Sequence, residues 1–376
     1  MISEEKKDTY KLDIRSKWML GIAVLAILFS FIAPYLFIKF SIFDVTGAGS
    51  IGDSLGGIMN PFIAIGGVIL TYLAFYMQFS ANKIQREQFR MQIREDKIKF
   101  KRELDEQQLE FKKSQFENQF YEMIRLHKEN INEISLTLYL VNSNGFDFKT
   151  IIGREVFKYL NEEIKILYYI AKKCYNTEDF NLIINIAYGL FFHGIKYDET
   201  ITEFEPGKEQ FSSFINRVLL INHSNTQANY RNLKSLVANY TDYKSAANLK
   251  FKLGQGHSFY LAHYYRHLFQ TVKYVANQDE NFISYEDKRK YLRILRAQLS
   301  NQEQAMLFYN WKSDFGKNWE DKNKFFTDFR MIHNLYNDLL IEDFILEKLF
   351  DLNREDVYRK EKNREIDPLF EFEDWI

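Results

Sequence analysis

The chain has 376 residues, a formal net charge of −1, four prolines and a single cysteine, Cys174. A net charge this close to zero gives no general attraction to nucleic acid, and one cysteine excludes a disulfide framework or a cysteine-rich zinc site within the chain. Long stretches rich in Lys, Glu, Leu, Ile and Phe, with so few prolines, predict an all-α protein.

Two apolar stretches near the N-terminus predict a transmembrane hairpin at 18–79. The first, WMLGIAVLAILFSFIAPYLFI (18–38), is close to the ~20 residues needed to cross a bilayer, and the second, 55–79, follows after a short loop. Five basic residues lie in the segment 1–17 and eight follow the second span, whereas the loop has only Lys39. The positive-inside rule therefore predicts that both termini are cytoplasmic.

Small and polar residues recur at steps of three or four along the second span. They are Asp53, Gly56, Asn60, Ala64, Gly67, Thr71, Ala74 and Gln78. Small residues allow helices to approach closely in lipid. This stripe could pack on the first span, which has its own stripe of Ala23, Ala26, Ser30 and Ala33, on another copy, or along water. The helix could begin at Asn60–Pro61, or at Asp53 with a kink at Pro61.

An eleven-residue repeat follows the second span. Its units are QREQFRMQIRE (85–95), DKIKFKRELDE (96–106) and QQLEFKKSQFE (107–117). This period predicts a long helix at 80–140, as in a straight or slightly right-handed coiled coil. Its narrow apolar stripe should pair with copies in an oligomer or with the downstream domain, and its basic membrane-proximal third should attract anionic lipids.

Helical patterns continue through a cytoplasmic domain predicted at 141–340, with little sheet because no useful alternating pattern is found. Single helices are predicted over 258–276, 286–313 and 334–350. The last segment, 341–376, has an acidic excess and is predicted to be loosely packed.

One candidate site is the histidine cluster of GHSFYLAHYYRH, with His257, His263, Arg266 and His267. His263 and His267 share a helical face, but Tyr264 replaces the carboxylate of the HExxH zinc motif, so no metal is predicted. A polar network joining this helix to RILRAQLSN is the favoured interpretation. A phosphate-binding pocket that uses Arg266, Arg293 and Arg296 is the alternative.

A second candidate is RVLLINH, where Arg217 and His223 have the Arg-x5-His spacing of HEPN-type ribonucleases. Arginine could stabilise a phosphate while histidine transfers a proton. The alternative is a helix end that faces water. The sequence has no phosphate loop or nucleotide-binding glycine fingerprint, so no cofactor is expected.

Four blocks together resemble the putative phage abortive infection proteins of bacteria. They are GSIGDSLGGIMNPF, FENQFYEMIRLHKENI, HYYRHLFQTVKYV and LRILRAQLSNQEQAMLFYN, within roughly residues 50–335. The resemblance implies two membrane helices, a long helix, a helical cytoplasmic domain and a role in defence in which infected cells die or stop growing. It supplies no catalytic residue.

The leading hypothesis is a multi-pass defence protein of the bacterial inner membrane without enzymatic activity. Its cytoplasmic domain would sense infection and its hairpin would assemble in or perturb the membrane. Expected partners are the lipid bilayer, further copies of the chain, and a phage component or another defence protein. The alternatives are a membrane-tethered HEPN-like ribonuclease and a scaffold that recruits another effector.

Overall fold

A computed structural model describes residues 14–40, 51–142, 145–195, 208–223, 225–242, 246, 249–354 and 367–372. The chain divides into two compact units, which we call the hairpin unit (1–108) and the C-terminal unit (109–376). Most of the predicted N-terminal segment, residues 1–13, and the interhelical loop 41–50 lie outside the described residues.

The hairpin unit contains helix α1, Ile14–Phe40, and most of helix α2, Ile51–Glu133. By length and composition, α1 and the apolar part of α2 are each sufficient to cross a membrane. Helix α2 begins before Asn60 and runs through Pro61, so the earlier of the two predicted starts agrees with the structure.

Small side chains of α1 form the contact between the two helices. Ala23, Ser30 and Ala33 are fully buried. The hydroxyl of Ser30 donates a hydrogen bond to the carbonyl oxygen of Ile27 at 2.6 Å, so this buried polar group is satisfied within its own helix. The short side chains allow α2 to approach α1 closely.

On α2 the contact is made by Phe62, Gly66 and Leu73. Phe62 meets Phe29 edge to face, with ring centroids 4.9 Å apart, and Leu73 is buried. A Cβ atom on Gly66 would lie 2.8 Å from Cγ1 of Ile27, so only glycine permits this separation without a shift.

The predicted stripe of α2 lies on another side of the helix. Gly56 is half-buried, and the other seven members, from Asp53 to Gln78, are exposed. A Cβ atom on Gly67 would meet nothing within 4 Å. Packing of this stripe on the first span is therefore contradicted within the described hairpin, and the other two interpretations remain.

Helix α2 ends at Glu133, earlier than the predicted residue 140. Residues beyond it form strands β1, Ser135–Asn142, and β2, Gly145–Ile152, which pair antiparallel with Ser135 opposite Ile152. Leu136 and Leu138 alternate with more exposed neighbours and pack into the core. This alternation favours a strand, because a helix would place Leu136 and Leu138 on different faces. The all-α class is confirmed, since this hairpin is the only sheet in the described residues.

After the strands, seven helices of more than ten residues surround the core in the described part of the C-terminal unit. They are α3 (Val156–Tyr175), α4 (Phe180–His193), α5 (Lys208–Asn222), α6 (Gln227–Ala238), α7 (Ser258–Ala276), α8 (Tyr285–Arg296) and α9 (Asn301–Lys312). Helix α3 packs against α4, α5 and α9. It buries residues on most of its surface, among them Phe157, Ile164 and Leu167, so it is the centre of this unit.

Two helix predictions in this unit were wrong. The single helix expected at 286–313 is broken between α8 and α9, because Ser300 and Glu303 form a capping box that starts α9 anew. The expected helix 334–350 is mostly turns, with a 3-10 turn at Asn337–Leu339 and one helical turn at Leu346–Leu349. There Asn337 accepts a hydrogen bond from the Leu346 N–H and donates to Glu347, which closes a loop instead of a helix.

The acidic C-terminal segment is well packed where it is described, contrary to the prediction. Ile341, Leu369 and Phe370 are fully buried. Asp367 binds Arg289 at 2.5 Å and Arg330 at 3.4 Å, and Arg330 is only 2% exposed. Asp367 therefore neutralises charge on two buried arginines.

The helix contact at Gly66 gives a first test. Gly66→Val should destabilise the hairpin by about 1–3 kcal/mol, because a branched side chain overpacks the approach to Ile27. Gly21→Val on α1 is the matched control and should leave the hairpin intact, since a Cβ atom there meets nothing within 4 Å. Thermal unfolding of the full chain in detergent measures both, and equal midpoints for the two variants would contradict the described contact.

Candidate functional site: a buried polar network

A fully buried carboxylate, Glu303 at the start of α9, is the centre of the polar network. Its Oε2 accepts hydrogen bonds from the Ser300 N–H at 2.8 Å and the Ser300 hydroxyl at 2.6 Å. Nε of Arg154 lies 3.1 Å from the same oxygen, and the Tyr264 hydroxyl donates to Oε1 at 3.3 Å. One carboxylate thus joins the 3-10 turn Gly153–Glu155, α7 and α9.

The groups around Glu303 are held by further contacts. Arg154 also donates to the carbonyl oxygen of Gln298 at 2.6 Å. Burial, and then the charge of Glu303, raise the pKa of Tyr264 well above its ordinary value, so this phenol stays protonated as a donor. Charged hydrogen bonds in a desolvated site are strong when both partners are present, so the network fixes α7 against α9.

Two imidazoles lie close to each other, and one of them lies close to Tyr264. His127 of α2 is fully buried, with ring centroids 5.3 Å from Tyr264 and 6.2 Å from His267 of α7. Neither ring nitrogen of His127 has a hydrogen-bond partner among the described residues, and the same is true of Nδ1 of His267 and Nδ2 of Asn130.

Burial keeps both imidazoles neutral. It lowers the pKa of His127 to about 4, helped by His267 and by the positive charge of Arg154. Burial, with His263 nearby, also lowers the pKa of His267. A neutral imidazole offers one donor and one acceptor, so the pair can hold a polar group without adding charge to the core.

A separate dyad anchors the start of α7. Glu163 of α3 is fully buried; its Oε2 lies 2.7 Å from Nε2 of His257, and its Oε1 accepts the Gly254 N–H at 2.8 Å. His257 is the residue immediately before α7 and is almost buried. The dyad therefore ties the loop before α7 to the central helix.

Gly256 makes this loop possible. Its φ is +80°, a conformation that favours glycine, and a Cβ atom there would lie 2.7 Å from the backbone of His193. The close approach allows the His257 N–H to donate to the carbonyl oxygen of Phe192 at 2.9 Å. Glycine is thus required for the position of His257.

An open polar cleft lies at the end of α3. Its volume is about 530 Å³, and its lining includes Lys172, Lys173, Tyr240 and Glu342. Nζ of Lys172 is 2.7 Å from Oδ2 of Asp343 at the rim of this region, so part of the positive charge is already neutralised. No sequence motif marks this cleft, because its residues come from distant segments.

The structure separates the predicted site residues. His257 and His267 enter buried networks, whereas His263 and Arg266 are exposed on α7. Arg217 on α5 and His223 after its end are exposed as well. No hydrogen bond joins any two of these six in the described part of the chain, and no cluster of three or more metal-ligating side chains is found there.

The favoured network between α7 and RILRAQLSN is realised only in part. Arg293 is exposed, and Arg296 donates to the carbonyl oxygen of Arg330 at 3.1 Å. Burial, and then Arg293 and Arg289, lower the pKa of Arg296 to about 10. The polar partners of α7 and of the residue before it are instead Glu303 and Glu163. Of these only Glu303 had a local signal, the Ser-x-x-Glu capping box.

These features define an all-α protein with a pair of apolar helices and a mainly helical C-terminal unit. Residues 256–340 match the model of a protein family described as putative phage abortive infection protein. The match covers α7, α8 and α9, less than a quarter of the chain, and it confirms the family resemblance. No match was found among curated proteins, nor among solved structures.

His127 gives a pH test. Between pH 7 and pH 4 the unfolded chain, with an ordinary pKa near 6.5, binds a proton at this side chain, whereas the folded chain, with a pKa of about 4, begins to do so only near the lower end of this range. Folding stability should therefore fall as pH falls, with about 3 kcal/mol of the loss due to His127. Denaturant unfolding measures the free energy of unfolding at both pH values. From pH 7 to pH 4, His127→Phe should lose about 3 kcal/mol less of this free energy than wild type. If the difference in unfolding free energy between His127→Phe and wild type is the same at both pH values, the imidazole is not buried in its neutral form.

Gly256 gives a stability test. Gly256→Ala should lower the free energy of unfolding by about 2 kcal/mol or more, because it combines an unfavourable φ with a backbone clash. Gly57→Ala, in open space within α2, is the control and should not destabilise. Equal unfolding midpoints for the two variants would show that the loop tolerates a side chain.

Proposed function

We propose that the protein is a membrane-anchored anti-phage defence protein of the abortive infection type. In this proposal the hairpin unit lies in the bacterial inner membrane with both termini in the cytoplasm, and the C-terminal unit responds to infection. The observation that carries the proposal is the apolar outer surface of the hairpin in a chain whose residues 256–340 match the abortive infection family.

Large apolar side chains cover the outside of the hairpin. Trp18, Leu25, Phe31, Val68 and Phe75 are each more than 60% exposed. In lipid each would gain roughly 1.5–3 kcal/mol on transfer from water, and the helical backbone would satisfy its own polar groups. Lys83, Arg86, Arg90 and Arg94 follow on α2 and support a cytoplasmic location for that end.

The polar network supports a non-enzymatic role for the C-terminal unit. The carboxylates of Glu303 and Glu163 are fully buried and already bind protein donors, so they stabilise helix packing. We infer that the unit acts by binding a cue, which would be a phage component or another defence protein. The recruiting scaffold remains an alternative. The HEPN-like ribonuclease is another, but no hydrogen bond or ion pair of Arg217 or His223 in the described residues favours it.

Membrane action would follow from assembly. The small and polar stripe from Asp53 to Gln78 faces away from α1, so it is available to a further copy or to water within the membrane. Association of several hairpins through such a face would place polar groups together in the bilayer, where they would disturb its barrier. The lipid bilayer and further copies of the chain are thus the proposed partners.

Infected cells that carry the full chain test this proposal. The protein should stay with membranes after a high-salt and alkaline wash, and a potential-sensitive dye should report depolarisation before phage lysis. Ile65→Lys with Val68→Lys should abolish both membrane retention and defence, because these exposed positions lie near the middle of the predicted span, where each lysine costs about 2.5–3.5 kcal/mol.

Met91→Lys with Ile98→Lys is the matched control, because these exposed positions lie beyond the predicted span. This variant should keep membrane retention and defence. A wild-type protein that washes off membranes, or infected cells that defend themselves while fully polarised, would contradict the proposal. Loss of defence in Arg217→Ala and His223→Ala, with normal protein levels, would favour the ribonuclease.

A further inference from the structure

One side of α2 carries an unbroken exposed surface from Asp53 to Leu104, which we call the outer face. Steps of three or four residues lead from Gln78 through Asn82 and Gln85 to Phe89, so the small and polar stripe and the aromatic repeat lie on the same side of the helix. All of its members apart from Gly56, which is half-buried, are exposed.

The second half of the outer face is apolar. Phe89, Ile93, Phe100 and Leu104 are between 39% and 66% exposed. At about 98° per residue, the turn angle of an eleven-residue repeat, these four side chains fall within about 35° of one another around the helix. A surface of this kind on a single helix is stabilised when another helix covers it.

The two flanks of this apolar strip carry opposite charge. The same turn angle places Arg86, Arg90, Lys97 and Lys101 along one flank, and Gln85, Gln92, Asp96 and Glu103 along the other. All eight are exposed. The only described ion pair among them joins Glu103 to Lys99 of the same helix, at 3.8 Å, and leaves the basic flank unneutralised.

We propose that the outer face of α2 binds the outer face of a second copy of this chain, with the two helices parallel and in the same register. When two helices pack in parallel about their apolar strips, each flank of one meets the opposite flank of the other. The basic flank would then lie against the acidic and amide flank on both sides of the contact.

The charge pattern selects this arrangement over its reverse. In an antiparallel pair each flank would meet the same flank of the other copy. The four basic residues of one helix would then lie against the four basic residues of the other and repel them. The proposed membrane anchoring, on which this inference rests for orientation alone, also holds all copies parallel. The eleven-residue period makes the pair straight or slightly right-handed, so the small stripe from Asp53 to Gln78 would continue the same contact without crossing over.

Cysteine cross-linking of the full chain in native membranes tests the contact and its register. Ile93→Cys or Phe100→Cys should form a disulfide-linked dimer under mild oxidation, because each position meets its own counterpart across the parallel interface. Ile98→Cys, an apolar and exposed position on the opposite side of α2, is the control and should give at least about tenfold less dimer.

Charge reversal tests the flanks. Arg90→Glu with Lys101→Glu should lower the Phe100→Cys dimer yield by about tenfold, since several exposed pairs change from attraction to repulsion. Adding Gln92→Lys and Glu103→Lys should restore the yield. Arg94→Glu with Arg102→Glu changes the charge equally but lies off the flanks, so it should leave the yield unchanged.

The results separate this inference from the proposed function. The inference would be overturned if the dimer yield at position 98 equalled that at 93 and 100. It would also be overturned if the charge-reversal variants cross-linked as well as the protein without them. Either result is compatible with membrane retention and defence. Conversely, a chain that washes off membranes but cross-links at 93 and 100 would keep the contact and refute the anchoring.

Discussion

The close approach of α1 and α2 at Gly66 determines the organisation of the hairpin unit. A glycine on one helix and alanines and a serine on the other bring the two backbones together, with Ile27 filling the space where a Cβ would stand. Because this contact uses one side of α2, the opposite small and polar residues are directed outward. The side of α2 that meets α1 thus determines which side becomes the outer face and is available for assembly.

Buried charge has a comparable role in the C-terminal unit. Glu163, Glu303 and Asp367 each bind a basic side chain or a histidine from a distant segment. A buried carboxylate is costly to desolvate unless its partners are all present, so these contacts fix a particular arrangement of helices more than they add stability. The buried ring of His127 lies against Tyr264, whose hydroxyl donates to Glu303.

Local patterns predicted much of the fold. Apolar runs located both hairpin helices, and the helical pattern of 258–276 predicted α7 over the residues that it occupies. The strand β1 was missed because its alternation is short and follows a long helix without an intervening glycine or proline. The break before α9 was also missed, although Ser300 and Glu303 have the spacing of a capping box.

The partners in the candidate site could not be predicted from spacing. Glu163 lies 94 residues before His257, and His127 lies on a different helix from His267, so only the folded chain brings them together. The sequence singled out the correct helix, α7, but paired it with the wrong neighbours. Similarly, the sequence shows the small and polar stripe of α2. It does not show which side of the helix meets α1, because that depends on the fit at Gly66.

The central claim is that the hairpin crosses the bacterial inner membrane and returns. The most direct measurement is labelling of single-cysteine variants, made in a Cys174→Ala background, in intact cells with a maleimide that cannot cross the inner membrane. Ser50→Cys, which lies between the two predicted spans in the sequence, should be labelled from outside the membrane, whereas Arg90→Cys on α2 should be labelled only after the membrane is broken. Labelling of Arg90→Cys in intact cells, or protection of Ser50→Cys until lysis, would contradict the account.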